Sequence, residues 1–203
     1  MASKIIVDQL QKSGYTALTL PSANATANQY IKNDGAGALS WATLPESGKV
    51  LQTLQPAAIT SNTLTTTSTT FVDITGLTVD ITPSAVTSKV LVLFNCMIGC
   101  NAGWHAHVRI MRDSTAIGIG DLYGSRKQST SEASAGGVAM CQPTPGIFLD
   151  EPNTTSATTY KLQWASESAG TIYLNRSHTN TDNANFGTFI STITVMEIGV
   201  WRI

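Results

Sequence analysis

From Phe71 onward, apolar and polar residues alternate in short runs. This is the two-residue period of strands whose successive side chains face opposite ways. Phe71-Val72-Asp73-Ile74 leads through Thr75-Gly76 into Leu77-Thr78-Val79-Asp80-Ile81, and Pro83-Ser84 turns the chain. Lys89-Val90-Leu91-Val92-Leu93-Phe94-Asn95-Cys96-Met97-Ile98 is apolar at both parities, which predicts a central strand covered on both faces. Trp104, Ala106, Val108 and Ile110 form the apolar face of the next strand, with His105, His107 and Arg109 on its polar face. Arg112-Asp113-Ser114 turns into Ala116-Ile117-Gly118-Ile119. Residues 124–136 read as a long polar loop, and Val138, Met140 and Ile147 resume the sheet.

Two stretches near the end organise this pattern. Asp150-Glu151-Pro152-Asn153 reads as a turn, because proline fixes φ and asparagine tolerates the left-handed region. After it, Tyr160, Leu162 and Trp164 face one way and Thr159, Lys161 and Gln163 the other; Thr171-Ile172-Tyr173-Leu174 follows Ala169-Gly170 at hairpin distance. The closing strand, 186–198, carries Phe189, Ile193 and Val195 on one face and Ile190, Met196 and Ile198 on the other. A second strand apolar on both faces points to a partner as well as a core.

Residues 1–60 differ. Their apolar patches are short: Ile5 and Ile6, then Leu18 and Leu20 before Pro21, then Tyr30 and Ile31, then Leu39 and Trp41 after the turn signal Asn33-Asp34-Gly35-Ala36-Gly37. No piece has enough apolar surface to fold alone, so the segment is expected to pack on copies of itself or on another protein. Residues 49–60 read as a join, and 63–70 as a solvated or edge strand of Thr and Ser. The expected organisation is therefore an extended segment with short strands over 1–60 and an all-β domain over 61–203. Its many short strands, with no useful helical period, fit a two-sheet sandwich of the jelly-roll kind. An Ig-like array lacks its Cys…Trp…Cys pattern here.

Composition sharpens this. Charged residues make up 12% of the 203, about half the usual share of roughly 25%. Thr, Ser, Asn and Gly take their place, and Thr suits the solvent side of strands. The net charge of −1 offers no basic patch for nucleic acid. The three cysteines, Cys96, Cys100 and Cys141, are too few and odd in number for a disulfide framework, and Cys96 reads as a core residue. No stretch reads as a signal peptide or reaches the ~20 apolar residues of a membrane helix, so synthesis in a cytosol is expected.

No catalytic constellation emerges. Asp150 and Glu151 are neighbours on a turn and do not face one substrate atom. Ser47-Gly48-Lys49 resembles the end of a phosphate-binding loop, but Thr43 stands where its first glycine belongs. His105 and His107 share a strand face and suit a transition metal if copies meet on a threefold axis, although Arg109 on that face opposes a cation. The simpler reading is two exposed histidines on an amphipathic strand. Loop residues Asp121, Tyr123, Arg126 and Lys127, and Asn175, Arg176 and His178, are candidates for receptor contact or ordinary solvated loops. No cofactor is called for.

Several phrases together resemble a known domain: Thr70-Phe71-Val72-Asp73-Ile74-Thr75-Gly76-Leu77, Ile81-Thr82-Pro83, Arg109 to Gly118, Phe148 to Tyr160, Leu174-Asn175-Arg176-Ser177 and Ser191 to Ile198. They resemble a jelly-roll domain of the C1q and tumour-necrosis-factor type found in tailed-phage virion proteins, over roughly residues 63–198. Asn33 to Trp41 resembles the unit that attaches phage fibres to the particle. The resemblance implies a homotrimer located in the virion. Its N-terminal segment, through Ile5, Ile6, Leu18, Leu20, Tyr30, Leu39 and Trp41, would meet other virion proteins, and its C-terminal domain would face outward. Two roles follow from it: a short tail fibre attaching the particle to the host surface through a glycan, or a capsid decoration or head-fibre protein that stabilises the shell or adheres. Neither is enzymatic, and neither involves nucleic acid or membrane insertion. A polysaccharide-degrading spike is disfavoured by the missing carboxylate pair.

Overall fold

A computed structural model describes residues 9–11, 13–27, 29–43, 48–101, 103–134 and 136–199. Ile5 and Ile6 lie outside the described residues. The chain divides into two units between residues 46 and 47. Every regular element among the described residues is a strand.

In the first unit β1 (Gln9–Leu10) pairs antiparallel with β2 (Leu18–Thr19), and β3 (Gln29–Asn33) with β4 (Leu39–Thr43). Side chains build the β3–β4 turn. Asn33 Oδ1 accepts the Gly35 N–H at 2.8 Å, and Asp34 Oδ1 accepts the N–H groups of Ala36 and Ala38 at 2.8 and 3.0 Å. Gly35 and Gly37 supply the positive φ the turn requires. None of this unit's described side chains is fully buried.

The second unit contains β5 (Val50–Leu54), β6 (Thr65–Thr66), β7 (Val72–Ile81), β8 (Lys89–Cys100), β9 (His105–Arg112), β10 (Thr115–Ile117), β11 (Ser131–Ser134), β12 (Cys141–Asp150), β13 (Thr158–Ser166), β14 (Ile172–Leu174) and β15 (Thr192–Ile198). Its pairings are nested. β5 pairs with β15, β7 with β13, β8 with β12, and β9 with the broken edge formed by β10 and β11. That is one long antiparallel hairpin of eight strands, counting the broken edge as one. Pairs β9–β13 and β8–β15 then close it into a five-stranded and a six-stranded sheet. Nested pairing wrapped into two sheets is a jelly roll. The all-β sandwich expected from the alternating pattern is therefore present.

The core lies between the sheets. Ile74, Leu77, Val79 and Ile81 of β7, Val108 and Ile110 of β9 and Tyr160, Leu162 and Trp164 of β13 face Val90, Val92, Phe94, Cys96 and Ile98 of β8 and Ile193 and Val195 of β15. Cys96, Cys100 and Cys141 are free thiols, and burial pushes Cys96 up to about 12.

The structure departs from the sequence reading at several places: Val138 and Met140, expected to resume the sheet, stand exposed before β12, and the closing strand expected over 186–198 begins only at Thr192. Residues 50–54, read as part of a join, form β5 at the edge of the six-stranded sheet. The loop expected over 124–136 contains β11, which has only Ala133 to bury and so shows no apolar pattern. The hairpin expected between β13 and β14 is absent: β13 belongs to the five-stranded sheet, while β14 crosses over to pair with β8 and β6. Asp150 is not part of a turn. It ends β12 and is buried, with Arg112 Nη1 3.0 Å from both carboxylate oxygens and the Tyr160 hydroxyl donating to Oδ2 at 2.6 Å.

Candidate functional site

β9 is amphipathic: Ala106, Val108 and Ile110 point into the sandwich, and His105, His107 and Arg109 point out. Pairing with β11 sets Glu132 opposite His107 and Ser134 opposite His105. The Glu132 carboxylate thereby reaches both imidazoles. Its Oε1 is 2.7 Å from His105 Nδ1, and its Oε2 is 3.3 Å from His107 Nδ1. Glu167, just beyond β13, closes the other side. Its N–H donates to the His105 carbonyl at 3.0 Å, and its Oε2 accepts the His105 N–H at 3.0 Å. The segment between β10 and β11 contributes Ser125, Arg126 and Lys127, and Lys127 donates to the Thr69 carbonyl. These seven residues line an open cleft of about 490 Å³.

The two histidines differ. His105 is engaged by Glu132 and Glu167 and is substantially exposed. His107 is largely covered, and its Nδ1 is buried without a hydrogen-bond partner. Burial lowers the His107 pKa below the ordinary value against the opposing pull of Glu132, with Lys127 and His105 adding to the lowering. At neutral pH this imidazole is uncharged.

Arg109, the third outward side chain, is held apart from the cleft's cations. Its Nε and Nη2 donate to Gln163 Oε1 at 3.0 and 2.8 Å, and its guanidinium lies 4.0 Å from the Phe71 ring centre. Among the described residues, no group of three or more His, Cys, Asp or Glu side chains is arranged to hold a metal ion. The His105/His107 pair instead shares one carboxylate.

The structure joins two sets of candidates that the sequence kept apart. His105 and His107, singled out for metal, stand in one cleft with Arg126 and Lys127, singled out for receptor contact. Tyr123 is 70% exposed beside the cleft, with the Arg126 guanidinium 4.8 Å from its ring centre; Asp121 is exposed on the same segment. Glu132, Glu167 and Ser125 were missed. Only the β9–β11 register and the end of β13 bring them in, and neither leaves a local mark in the sequence.

The second candidate loop is mostly structural. Asn175 is 1% exposed, adopts a left-handed φ of 60°, donates to the carbonyls of Ile59 and Ser61, and accepts from Ser191 Oγ at 2.7 Å. It is a buried clamp between segments, which corrects its assignment to receptor contact. Arg176 lies 4.1 Å over the Tyr173 ring and donates to the Asn62 carbonyl, while His178 Nδ1 is 3.0 Å from the Tyr173 hydroxyl. In the first unit, Leu20, Leu39 and Trp41 line one shallow depression, and Trp41 Nε1 donates to the Ala23 carbonyl at 2.6 Å. Leu18 is half-buried and Tyr30 exposed.

No family model matches the chain, and no curated protein matches it. Among solved structures it is similar to the infectious bursal disease virus VP2 subviral particle, at 11% identity and a TM-score of 0.38, over 93% of this chain and 45% of that one. It is also similar to infectious bursal virus derived T=1 particles, at 12% identity and a TM-score of 0.39, over 93% of this chain and 47% of that one. The chain spans about half the length of these solved chains. With TM-scores below 0.5, the likeness carries no weight; the jelly roll rests on the strand pairing.

Proposed function

We propose that this protein is a virion structural protein of a tailed phage, a short trimeric tail fibre whose jelly-roll unit contacts the host surface and whose first unit attaches to other virion proteins. The resemblance of its phrases to phage fibre domains supports the setting. The observation that carries the reading is the outer face of the six-stranded sheet. Leu91, Leu93 and Met97 of β8, Ile147 and Leu149 of β12 and Met196 of β15 share that face by register, and Ile147 is 67% exposed. This apolar patch, bordered on the same face by Asn95, Thr192 and Thr194, is the kind of surface a second copy of the chain covers. Among its described residues the first unit has exposed or half-covered apolar side chains and none fully buried, as suits a segment that packs on a partner.

The cleft beside β9 lies on the other sheet, so it stays open when copies pack through the six-stranded one. Its polar lining suits contact with a host glycan rather than catalysis. Release of reducing sugar from host polysaccharide would overturn the non-enzymatic role.

A gold label on residue 2 of intact particles tests the location. Label at the tail is expected. Label across the head shell would replace the tail fibre with a capsid decoration or head fibre. Binding of the isolated protein to host cells tests attachment, and its absence removes that role.

A further inference from the structure

The charges in the β9 cleft are unevenly partnered. Both carboxylates are engaged through His105: Glu132 by its Nδ1 at 2.7 Å and Glu167 by its N–H at 3.0 Å. The two cations have no such partner. Among the described residues, neither Arg126 nor Lys127 lies within ion-pair distance of a carboxylate. Lys127 donates to the Thr69 carbonyl, which leaves two ammonium protons for another acceptor. Arg126 stacks on Tyr123, and its guanidinium edge retains its donors. His107 Nδ1 is buried with Glu132 Oε2 3.3 Å away but makes no hydrogen bond to it, so that carboxylate oxygen keeps a lone pair for another donor.

These features specify a ligand. Every side chain lining the cleft carries a polar or charged group, so a guest with hydroxyl and anionic groups finds partners on all sides. Its volume of about 490 Å³ falls within the roughly 300–1,000 Å³ of small-ligand sites. Adjacent unpaired Arg and Lys side chains suit an anionic group, and guanidinium pairs carboxylate in a two-pronged manner. The neutral imidazole of His107, Ser125 and the spare carboxylate lone pairs suit hydroxyl groups. The exposed Tyr123 ring at the rim, beside Leu122 at 73% exposure, offers a flat apolar surface to a sugar ring.

We propose that this cleft binds a sugar bearing a carboxylate, with the acid group between Arg126 and Lys127 and the ring hydroxyls on His107, Ser125, Glu132 and Glu167. This names the ligand class of the attachment surface and rests on that reading for its biological role. A neutral sugar leaves the cations unmet. A phosphate shares the anion chemistry but makes no use of the hydroxyl partners.

The test is calorimetric titration of the full chain at low salt with trigalacturonate, maltotriose and inorganic phosphate in turn. Trigalacturonate is expected to bind, with affinity reduced about tenfold or more in the R126A/K127A double variant. Maltotriose is expected not to bind. The His107 ring resonances are expected to shift with trigalacturonate in the unaltered protein. Both substituted side chains are on a surface segment, and circular dichroism confirms that the variant is folded. Trigalacturonate affinity undiminished in the folded double variant, or no trigalacturonate binding at all, overturns the site. Phosphate binding as tight as trigalacturonate overturns the sugar assignment.

Particle adsorption separates this from the attachment reading. If R126A/K127A particles adsorb normally, the cleft is not the contact and attachment stands on another surface. If the protein binds trigalacturonate at the cleft but contributes nothing to adsorption, the attachment reading fails and the site remains.

Discussion

The phenol of Tyr160 donates to Asp150 Oδ2 at 2.6 Å, tying β13 of one sheet to β12 of the other inside the sandwich. Arg112 supplies the balancing charge to the same carboxylate. Desolvation first, and the hydrogen bond to Asp150 second, hold the Tyr160 phenol protonated well above the ordinary tyrosine range. The arrangement is a satisfied buried network, so its parts are unequal in cost. Removing the acid leaves a guanidinium and a phenol unpaired, while removing the hydroxyl leaves the ion pair intact. D150A is expected to cost about 3–5 kcal/mol, and Y160F about 1–2 kcal/mol. Urea denaturation of both variants checks the order, and a costlier Y160F would contradict it.

Glu197 has no exposed surface, and among the described residues no cation lies within ion-pair distance of it. It follows Ile193 and Val195 on the inward face of β15. Ser84 donates to Oε1 through its N–H at 2.7 Å and its hydroxyl at 2.6 Å, and Gln52 Nε2 donates to Oε2 at 2.6 Å. Burial alone raises the Glu197 pKa. The hydrogen bonds from the side chains of Ser84, Ser88 and Gln52 and from the Ser84 N–H together outweigh it and hold the group below the ordinary glutamate value. A depressed folded pKa contributes stability above the unfolded pKa and loses it as pH falls through the folded one. E197Q is therefore expected to cost about 1–3 kcal/mol near neutrality, and the deficit should narrow as the solution is acidified below the ordinary glutamate pKa. Denaturation midpoints of both proteins across acid pH check this; a deficit independent of pH would sink it.

These two networks mark where sequence reading runs out. β8 was legible because its residues are apolar at both parities, Val90, Val92 and Phe94 inward and Leu91, Leu93 and Met97 outward. The same two-residue period puts Glu197 inside, but charge normally marks the outside, and only partners distant in sequence, Ser84 and Gln52, reverse that. Asp150 misled for a related reason. Pro152 and Asn153 after it do leave the strand, while Asp150 itself is held by Arg112 and Tyr160. In the cleft, the face of β9 carrying His105 and His107 could be read from alternation. Glu132 could not, since its strand has almost no core to bury, and Glu167 could not, since it acts from just past a strand end.

Gly170 has the Trp104 ring directly over its α-carbon, where a methyl would overlap Cε3 and Cζ3 of the indole. Trp104 packs against the core, so it has little room to retreat. G170A is expected to cost about 1–3 kcal/mol by overpacking and to change the tryptophan emission as the ring moves into a different environment. In the W104A background the same G170A change should cost little further stability, since the clash is gone. Unchanged emission and stability in G170A would show that the ring does not sit on the glycine.

Ile147 and Leu149 project from β12 on the outward face, in register with Leu93 and Leu91 of β8. They are 67% and 46% exposed, and an isolated chain gains nothing from holding them there. If copies assemble through this face, charges placed on it are desolvated at the contact without partners. The pair I147K/L149K leaves the inward residues Gly146, Phe148 and Asp150 untouched, so the sandwich itself should keep its fold. Light scattering should then show unaltered protein at three times 21.5 kDa and the variant at 21.5 kDa, with matching circular dichroism. Trimers that persist in the folded variant would move the contact to another surface, and an unaltered protein that is monomeric in dilute solution would remove the trimer.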